Sequence, residues 1–239
     1  MEAPFKFKEF SISQDRCAMK IGTDGVLLGA WTPVDKNVFS ILDIGTGTGL
    51  ISLMLAQRSY ADLIDALEID ENAYEQAVEN FENSPWGDRL YCYHAGFDEF
   101  VEEMQDEKYD LIVSNPPFYN SNLSDKKTSS REIARFQDAL PFEELISGAS
   151  KLLSEEGKLS LIVPADEESK ILEFAKVCNL YPSKITRVKG TPTSEIKRSL
   201  ILLSFQQKET IQDILILEES RHHYTKEYHK MVEPFYLKL

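Results

Sequence analysis

Ile41-Leu-Asp-Ile-Gly-Thr-Gly-Thr-Gly-Leu50 decides the fold of this chain. A short apolar run, Ile41–Ile44, reads as a buried strand and passes through three glycines at alternate positions into a helical stretch, Leu50–Arg58. Glycines between a strand and a helix let the backbone turn tightly and approach a ligand closely. From this point strand-like and helix-like pieces alternate: strand 63–68, helix 72–84, strand 90–94, helix 97–104 and strand 110–114. On the helix at 72–84, Ala73, Ala77, Val78 and Phe81 share the predicted buried face. After a polar stretch at 120–138 come a helix at 142–153 closed by Gly157, a strand at 158–163 and a helix at 167–179. Strands at 185–190 and 200–205 have no helix between them and predict an antiparallel hairpin at one edge of the sheet. The alternation is that of a Rossmann-like, doubly wound, mostly parallel α/β domain. A single domain over residues 1–239 is expected. Residues 1–38 would form an extension packed on it: an alternating arm at Phe5–Ile12 and a helix, Gly25–Trp31, N-capped by Thr23-Asp24 and stopped by Pro33. The tail from Glu209 reads as less regular.

The second informative stretch is Asn115-Pro-Pro-Phe118, which follows the apolar run Asp110–Ser114. Two prolines end the strand and stiffen the backbone leaving it. The tetrapeptide therefore stands at the C-terminal end of a strand, where open α/β sheets bind ligands. It offers an amide side chain (Asn115), a carbonyl (Pro116), a rigid corner (Pro117) and an aromatic face (Phe118). That set suits a planar amine and the flat ring behind it.

Composition narrows the function classes. The 239 residues are 42% hydrophobic and 28% charged, with a formal net charge of −14 and a sequence pI near 4.8. So acidic a chain is a poor general nucleic-acid binder, although a local basic surface remains compatible with it. Cys17, Cys92 and Cys178 form no CxxC pair, which argues against a disulfide framework or zinc site. His222, His223 and His229 have no carboxylate or cysteine spaced to complete a metal site, so no metal is expected. No signal peptide and no apolar run of membrane-spanning length is apparent, and a cytoplasmic protein is expected.

The glycine turn fits the nicotinamide fingerprint GxGxxG/A poorly, because its third position falls on Leu50 or Ser52. Asp43, a carboxylate at the strand end, suits a cationic ligand better than a pyrophosphate. S-adenosylmethionine, with a sulfonium and an ammonium, is such a ligand. The expected binding set is Asp43, Gly45, Thr46, Gly47 and Gly49, with Glu68 about twenty residues on, where a carboxylate accepts ribose hydroxyls. Asp70 reads as a helix N-cap instead. Backbone N–H groups at Gly96 and Phe97 would line the adenine pocket, with Phe97 as a plain core residue the alternative.

These residues resemble the class I S-adenosylmethionine-dependent methyltransferases. Asp43–Gly49 is similar to their cofactor loop, and Asn115–Phe118 to the (N/D)PP(Y/F) motif of those that methylate a planar nitrogen. Asp15–Trp31, Ser130–Arg135, Tyr224–Tyr228 and Phe235–Leu237 further resemble the tRNA1(Val) adenine-37 N6-methyltransferases. The resemblance implies a seven-stranded sheet with one antiparallel strand, Thr23 and Asp24 near the methionine end of the donor, and a tRNA substrate. Gly96 stands where that family often carries an acid, and Phe136 where it often carries histidine.

On this reading Asn115 Oδ1 and the Pro116 carbonyl accept the two hydrogens of an exocyclic amine, and Phe118 stacks on the base. Lys126, Lys127, Arg131 and Arg135 are the candidate RNA contacts, followed by Lys184, Arg187, Lys189, Lys197 and Arg198. A monomer is expected. Two other readings remain open at this point: the same tetrapeptide on guanine N2 of ribosomal RNA or on a protein glutamine, and a non-catalytic RNA-binding protein on the same scaffold.

Overall fold

Buried apolar strands build the centre of the structure, a computed structural model that describes residues 3–117 and 140–238. In chain order the elements are β1 (Phe5–Lys6), β2 (Ser11–Ile12), α1 (Thr23–Trp31), β3 (Ser40–Ile44), α2 (Leu50–Arg58), β4 (Leu63–Glu68), α3 (Glu71–Glu82), β5 (Leu90–His94), α4 (Phe97–Glu103), β6 (Tyr109–Ser114), α5 (Phe142–Leu152), β7 (Leu153–Pro164), α6 (Glu168–Val177), β8 (Tyr181–Lys189), β9 (Ile196–Ser204), β10 (Ile211–Ile216), β11 (Glu218–Ser220), β12 (His223–Tyr224) and α7 (Lys226–Val232).

The main sheet runs β10-β8-β9-β7-β6-β3-β4-β5. Strands β3 to β7 pair in parallel, and β9 runs antiparallel to both of its neighbours. The strand order reverses at β3, which is followed by β4 and β5 on one side and by β6 and β7 on the other, so the switch point of this doubly wound sheet lies between β3 and β6, where the two motifs leave it. Both faces are covered, which is why the strands read as continuous apolar runs. Ile41, Leu111, Val113, Leu200 and Leu202 face a core shared with α1 and α2. Leu42, Ile112, Ile201 and Leu203 face the other, shared with α5 and α6.

Four expectations about the sheet and the tail need correction. The sheet has eight strands among the described residues, not seven. The β8–β9 hairpin does not form its edge: β9 inserts beside β7, and β10 adds to β8 in parallel as the outer strand. The tail is regular because its anchors are tertiary. Thr225 caps α7, accepting from the Tyr228 N–H, while its hydroxyl donates to the Ile216 carbonyl, and Tyr228, Val232 and Phe235 are buried. Gly157 closes no helix. It lies within β7 at a register shift against β6, where an added Cβ would stand 2.8 Å from the Tyr109 carbonyl oxygen.

Helix α1 is buried along Gly25–Trp31. Its N-cap is Gly22 rather than Thr23-Asp24, and no side chain caps it. Its far end is tied to the sheet by Trp31 Nε1, which donates to Thr186 Oγ1 (2.8 Å), and by the Thr32–Ser160 hydroxyl pair (2.8 Å). Among the described residues no helix is long and apolar enough to cross a membrane.

Candidate methyl-donor and amine site

The two motifs emerge side by side. Ile44 at the end of β3 pairs in register with Ser114 of β6 and with Leu67 of β4, so Gly45, Asn115 and Glu68 leave neighbouring strands at one level. The Ser114 hydroxyl donates to the Ile44 carbonyl (2.8 Å) and clasps the two strand ends together.

The glycine turn is held by backbone and carboxylate groups. Gly45, Gly47 and Gly49 have φ of 71°, 57° and 80°, the left-handed region that glycine enters without a Cβ penalty. The N–H groups of Gly45 and Thr46 both donate to the Leu67 carbonyl (3.0 and 2.9 Å). Among the described residues an added Cβ at Gly45 or Gly47 would meet nothing within 4 Å, so with respect to them these positions border open space. At Gly49 it would lie 2.4 Å from Phe81 Cε1, so this glycine lets α3 pack against the turn.

Asp43 is fully buried. Its Oδ2 accepts from Thr46 Oγ1 (2.7 Å), Ser52 Oγ (2.7 Å) and the Ser52 N–H (3.2 Å), which ties the turn to the start of α2. Its Oδ1 has no partner among the described residues. Burial pushes its carboxyl up to about 6 against those three hydrogen bonds. Glu68 accepts from the Gly47 N–H (2.8 Å) through one oxygen and from the N–H groups of Ile69 and Asp70 through the other. Asp70 caps α3, accepting from the Ala73 N–H (2.8 Å), in line with its sequence reading.

Asn115 is half-buried, and its Oδ1 is a buried acceptor without a partner among the described residues. An added Cβ at Gly25 would lie 4.0 Å from Asn115 Nδ2, so the first turn of α1 backs the amide. Pro116 is buried and Pro117 exposed. In that same turn of α1, Asp24 pairs with Arg198 Nε at 2.8 Å, next to Thr23. Gly96 is the N-cap of α4, and the Phe97 ring is buried against Gly148 in the second core. The thiols of Cys17 and Cys92 are pushed up to about 12 by burial and by the Glu68 charge, which removes them as nucleophiles.

Phe118, Lys126, Lys127, Arg131 and Arg135 lie outside the described residues. Of the further candidate cations, Lys184 pairs with Asp213 and Arg198 with Asp24. Arg187 grips the largely buried Glu168 with two nitrogens, and Ser199 adds a third bond to that carboxylate.

Sequence reasoning missed Gln76 and Asn80. The buried face of α3 carries both of them, while Val78 is half-exposed. Gln76 Oε1 accepts from the Arg16 N–H (3.0 Å), and Asn80 bonds Ser13 and Thr48. Two amides interrupting an apolar stripe were the available signal, since buried amides need partners.

Comparison with known proteins gives the family and the fold. The family model described as "Methyltransferase small domain" matches residues 26–174. A protein of Christiangramia forsetii named tRNA1(Val) (adenine(37)-N6)-methyltransferase is 70% identical, covering 99% of this chain and 98% of its own. One of Flavobacterium psychrophilum with the same name is 65% identical, covering 98% of this chain and 100% of its own. Among solved structures, a chain from Agrobacterium tumefaciens described as a predicted O-methyltransferase superposes with a TM-score of 0.70 at 19% identity, covering 89% of this chain and 96% of that one. The last likeness is one of fold.

Proposed function

This chain belongs to the tRNA1(Val) (adenine(37)-N6)-methyltransferase family, and we propose that its Asn115–Phe118 turn holds the N6 amine of adenine-37 for methylation. The chain is an S-adenosylmethionine-dependent enzyme, and its substrate is tRNA. Among the nitrogens such a turn can hold, the near-full-length likeness to relatives of that name selects adenine N6 over guanine N2 and glutamine. The observation carrying the amine site is Asn115 Oδ1, buried at the end of β6 beside the glycine turn and without a partner among the described residues.

The residues suit the donor. Open space around Gly45 and Gly47 among the described residues supports this, and we assign to the ribose hydroxyls the Glu68 carboxylate, which already accepts from the Gly47, Ile69 and Asp70 N–H groups. In this reading Gly45–Gly49 with Asp43 and Thr46 form the cradle, Thr23 and Asp24 border the methionine end, and the backbone of Gly96 and Phe97 borders adenine. Asp43 acts by shaping the turn, since both Thr46 and Ser52 are bound to it. S-adenosylmethionine supplies the electrophile, a methyl group on a sulfonium sulfur.

The nitrogen lone pair of adenine N6 is delocalised into the ring. Asn115 Oδ1 and the Pro116 carbonyl accept its two hydrogens and favour a more tetrahedral nitrogen with a localised pair. Positioning and preorganised dipoles lower the barrier, and no strong base is needed before attack. Phe118 stacks on the base, which leaves its neighbours to enter the pocket. Lys126, Lys127, Arg131 and Arg135 hold RNA phosphates. The proposed chemistry asks for neither a Lewis acid nor a second subunit, and the reading we propose is of a monomer that acts on tRNA in the cytoplasm without a metal.

Asn115→Ala tests the role of the amide. The measurements are donor affinity by calorimetry and N6-methyladenosine formation in purified tRNA1(Val) by nucleoside mass spectrometry. Turnover should fall about 10²–10³-fold, as for loss of one preorganised hydrogen-bonding group, while donor affinity stays within about twofold. Asn115→Asp keeps an acceptor and should retain more activity than Asn115→Ala. Near wild-type turnover in Asn115→Ala would remove the amide from the mechanism.

A further inference from the structure

Asn80 joins two parts of the molecule that are far apart in sequence. It lies on the buried face of α3 and is 3% exposed. Its Nδ2 donates to the Thr48 carbonyl in the glycine turn (2.8 Å) and to the Ser13 carbonyl (2.9 Å). Its Oδ1 accepts from the Ser13 N–H (2.8 Å). Both donors of the amide are thus used, and one acceptor position as well. Thr48 sits between two residues of positive φ, Gly47 and Gly49. The Thr48 carbonyl lies in the peptide plane that carries the Gly49 N–H, so a partner that holds this carbonyl fixes the direction of that plane.

The chain around Ser13 is a strap laid along α3. Three residues on, the Arg16 N–H donates to Gln76, one helical turn before Asn80. The Arg16 guanidinium closes on Glu75 (3.0 Å) and on Glu79. Farther along, the Ile21 N–H donates to Gln14 Oε1 (3.0 Å), which folds the strap back before it enters α1. The strap therefore leads from the glycine turn to the helix whose Gly25 backs Asn115. Gln76 and Asn80 hold the same strap, but of the two only Asn80 also touches the turn. Thr48 itself is buried, so its carbonyl would lose its side-chain partner if the amide were removed.

We infer that Asn80 is a positioning residue for the methyl donor: by gripping the Thr48 carbonyl and Ser13 together, it links the shape of the glycine turn to docking of residues 13–16 on α3. The inference rests on the reading that Gly45–Gly49 cradles the donor. Linkage makes the effect reciprocal: a donor that favours the formed turn favours the docked strap, and a docked strap favours donor binding.

The experiment uses the full chain and S-adenosylmethionine, reading donor KM and kcat on tRNA1(Val) beside the rate of trypsin cleavage after Arg16. In the wild type, saturating donor should slow that cleavage. Asn80→Ala should raise donor KM about tenfold, the loss expected from a buried hydrogen bond, with kcat changed by less than about threefold. Its cleavage should be faster and insensitive to donor. Gln76→Ala frees the strap without touching the turn, so its cleavage should be faster yet still slowed by donor. If Asn80→Ala does not fold, Asn80→Asp decides: it keeps the acceptor for the Ser13 N–H but loses the donors to both the Thr48 and Ser13 carbonyls, so donor KM should rise and cleavage should be faster and less sensitive to donor. An Asn80 variant with wild-type donor KM, or cleavage that the donor slows equally in Asn80→Ala and wild type, would overturn the inference. Gly47→Val separates the underlying reading from this one. Unchanged donor affinity there overturns the glycine-turn reading and this inference with it. Loss of affinity there, with none in the Asn80 variants, overturns the linkage alone.

Discussion

Replacing Gly49 by alanine should destabilise the protein more than replacing Gly47, whereas Gly47→Ala should damage donor binding. Both residues have φ near the left-handed minimum, at 57° and 80°. An L-residue there costs about 1–2 kcal/mol. At Gly47 the expected stability penalty is that strain, because none of the described residues lies within 4 Å of the added methyl. At Gly49 the methyl would stand 2.4 Å from Phe81 Cε1, and Phe81 is itself 2% exposed with little room to move. Overpacking of that kind adds about 1–3 kcal/mol, for a total of about 2–5 kcal/mol. In a chain of this length each kcal/mol lowers Tm by about 2–4 °C, so Gly49→Ala should melt about 4–20 °C lower and Gly47→Ala about 2–8 °C lower. Adding Phe81→Leu to Gly49→Ala should recover part of the steric loss and none of the backbone strain. Thermal melts of the four proteins, with calorimetric titration of donor into Gly47→Ala, provide the measurement. The Gly47 methyl enters the space assigned to the donor, so affinity should fall by at least about tenfold. Gly49→Ala melting no lower than Gly47→Ala, or full donor affinity in Gly47→Ala, would refute the assignment of the two glycines to packing and to binding.

The buried carboxylate of Asp43 makes stability pH-dependent. Burial raises its folded-state pKa from 3.8 to about 6. As pH rises through that window the unfolded chain releases its proton first, so stability is lost between roughly pH 4 and 6 and stays lower above it. Asp43→Asn removes this loss while leaving one oxygen to accept from Thr46 and Ser52, so its Tm relative to wild type should be higher at pH 8 than at pH 5. An equal difference at both pH values would contradict the assignment of the shift to Asp43. For the RNA surface, Arg131→Ala with Arg135→Ala should weaken tRNA binding and reduce the slope of log K against log[salt] by about 1.4–1.8, if each contacts one phosphate. An unchanged slope would exclude both from the phosphate contacts.

The parts of the site legible in the sequence are those carried by local chemistry. Alternate glycines after Ile44 can only be a turn, and they adopt positive φ as such a turn requires. Asp70 caps its helix through its own side chain three residues on. The partners of buried polar groups were not legible, because they come from remote sequence. Asn80 meets Ser13 67 positions away, and Arg198 meets Asp24 174 positions away. The same reason explains the strand missed in the tail. Residues 211–214 of β10 are all exposed, so its hydrophobic pattern is weak, and its pairing with β8 supplies the order instead.

By itself the sequence determined the strand–helix alternation, the glycine turn and the proline-stiffened amide, because each is a local rule of backbone geometry or side-chain periodicity. Only the tertiary structure decided that Gly45, Glu68 and Asn115 leave the sheet together, that β9 inserts beside β7, and that the N-terminal strap is tied to the glycine turn. Those outcomes depend on sheet register and on the need of each buried polar group for a partner, and neither is encoded within any one segment.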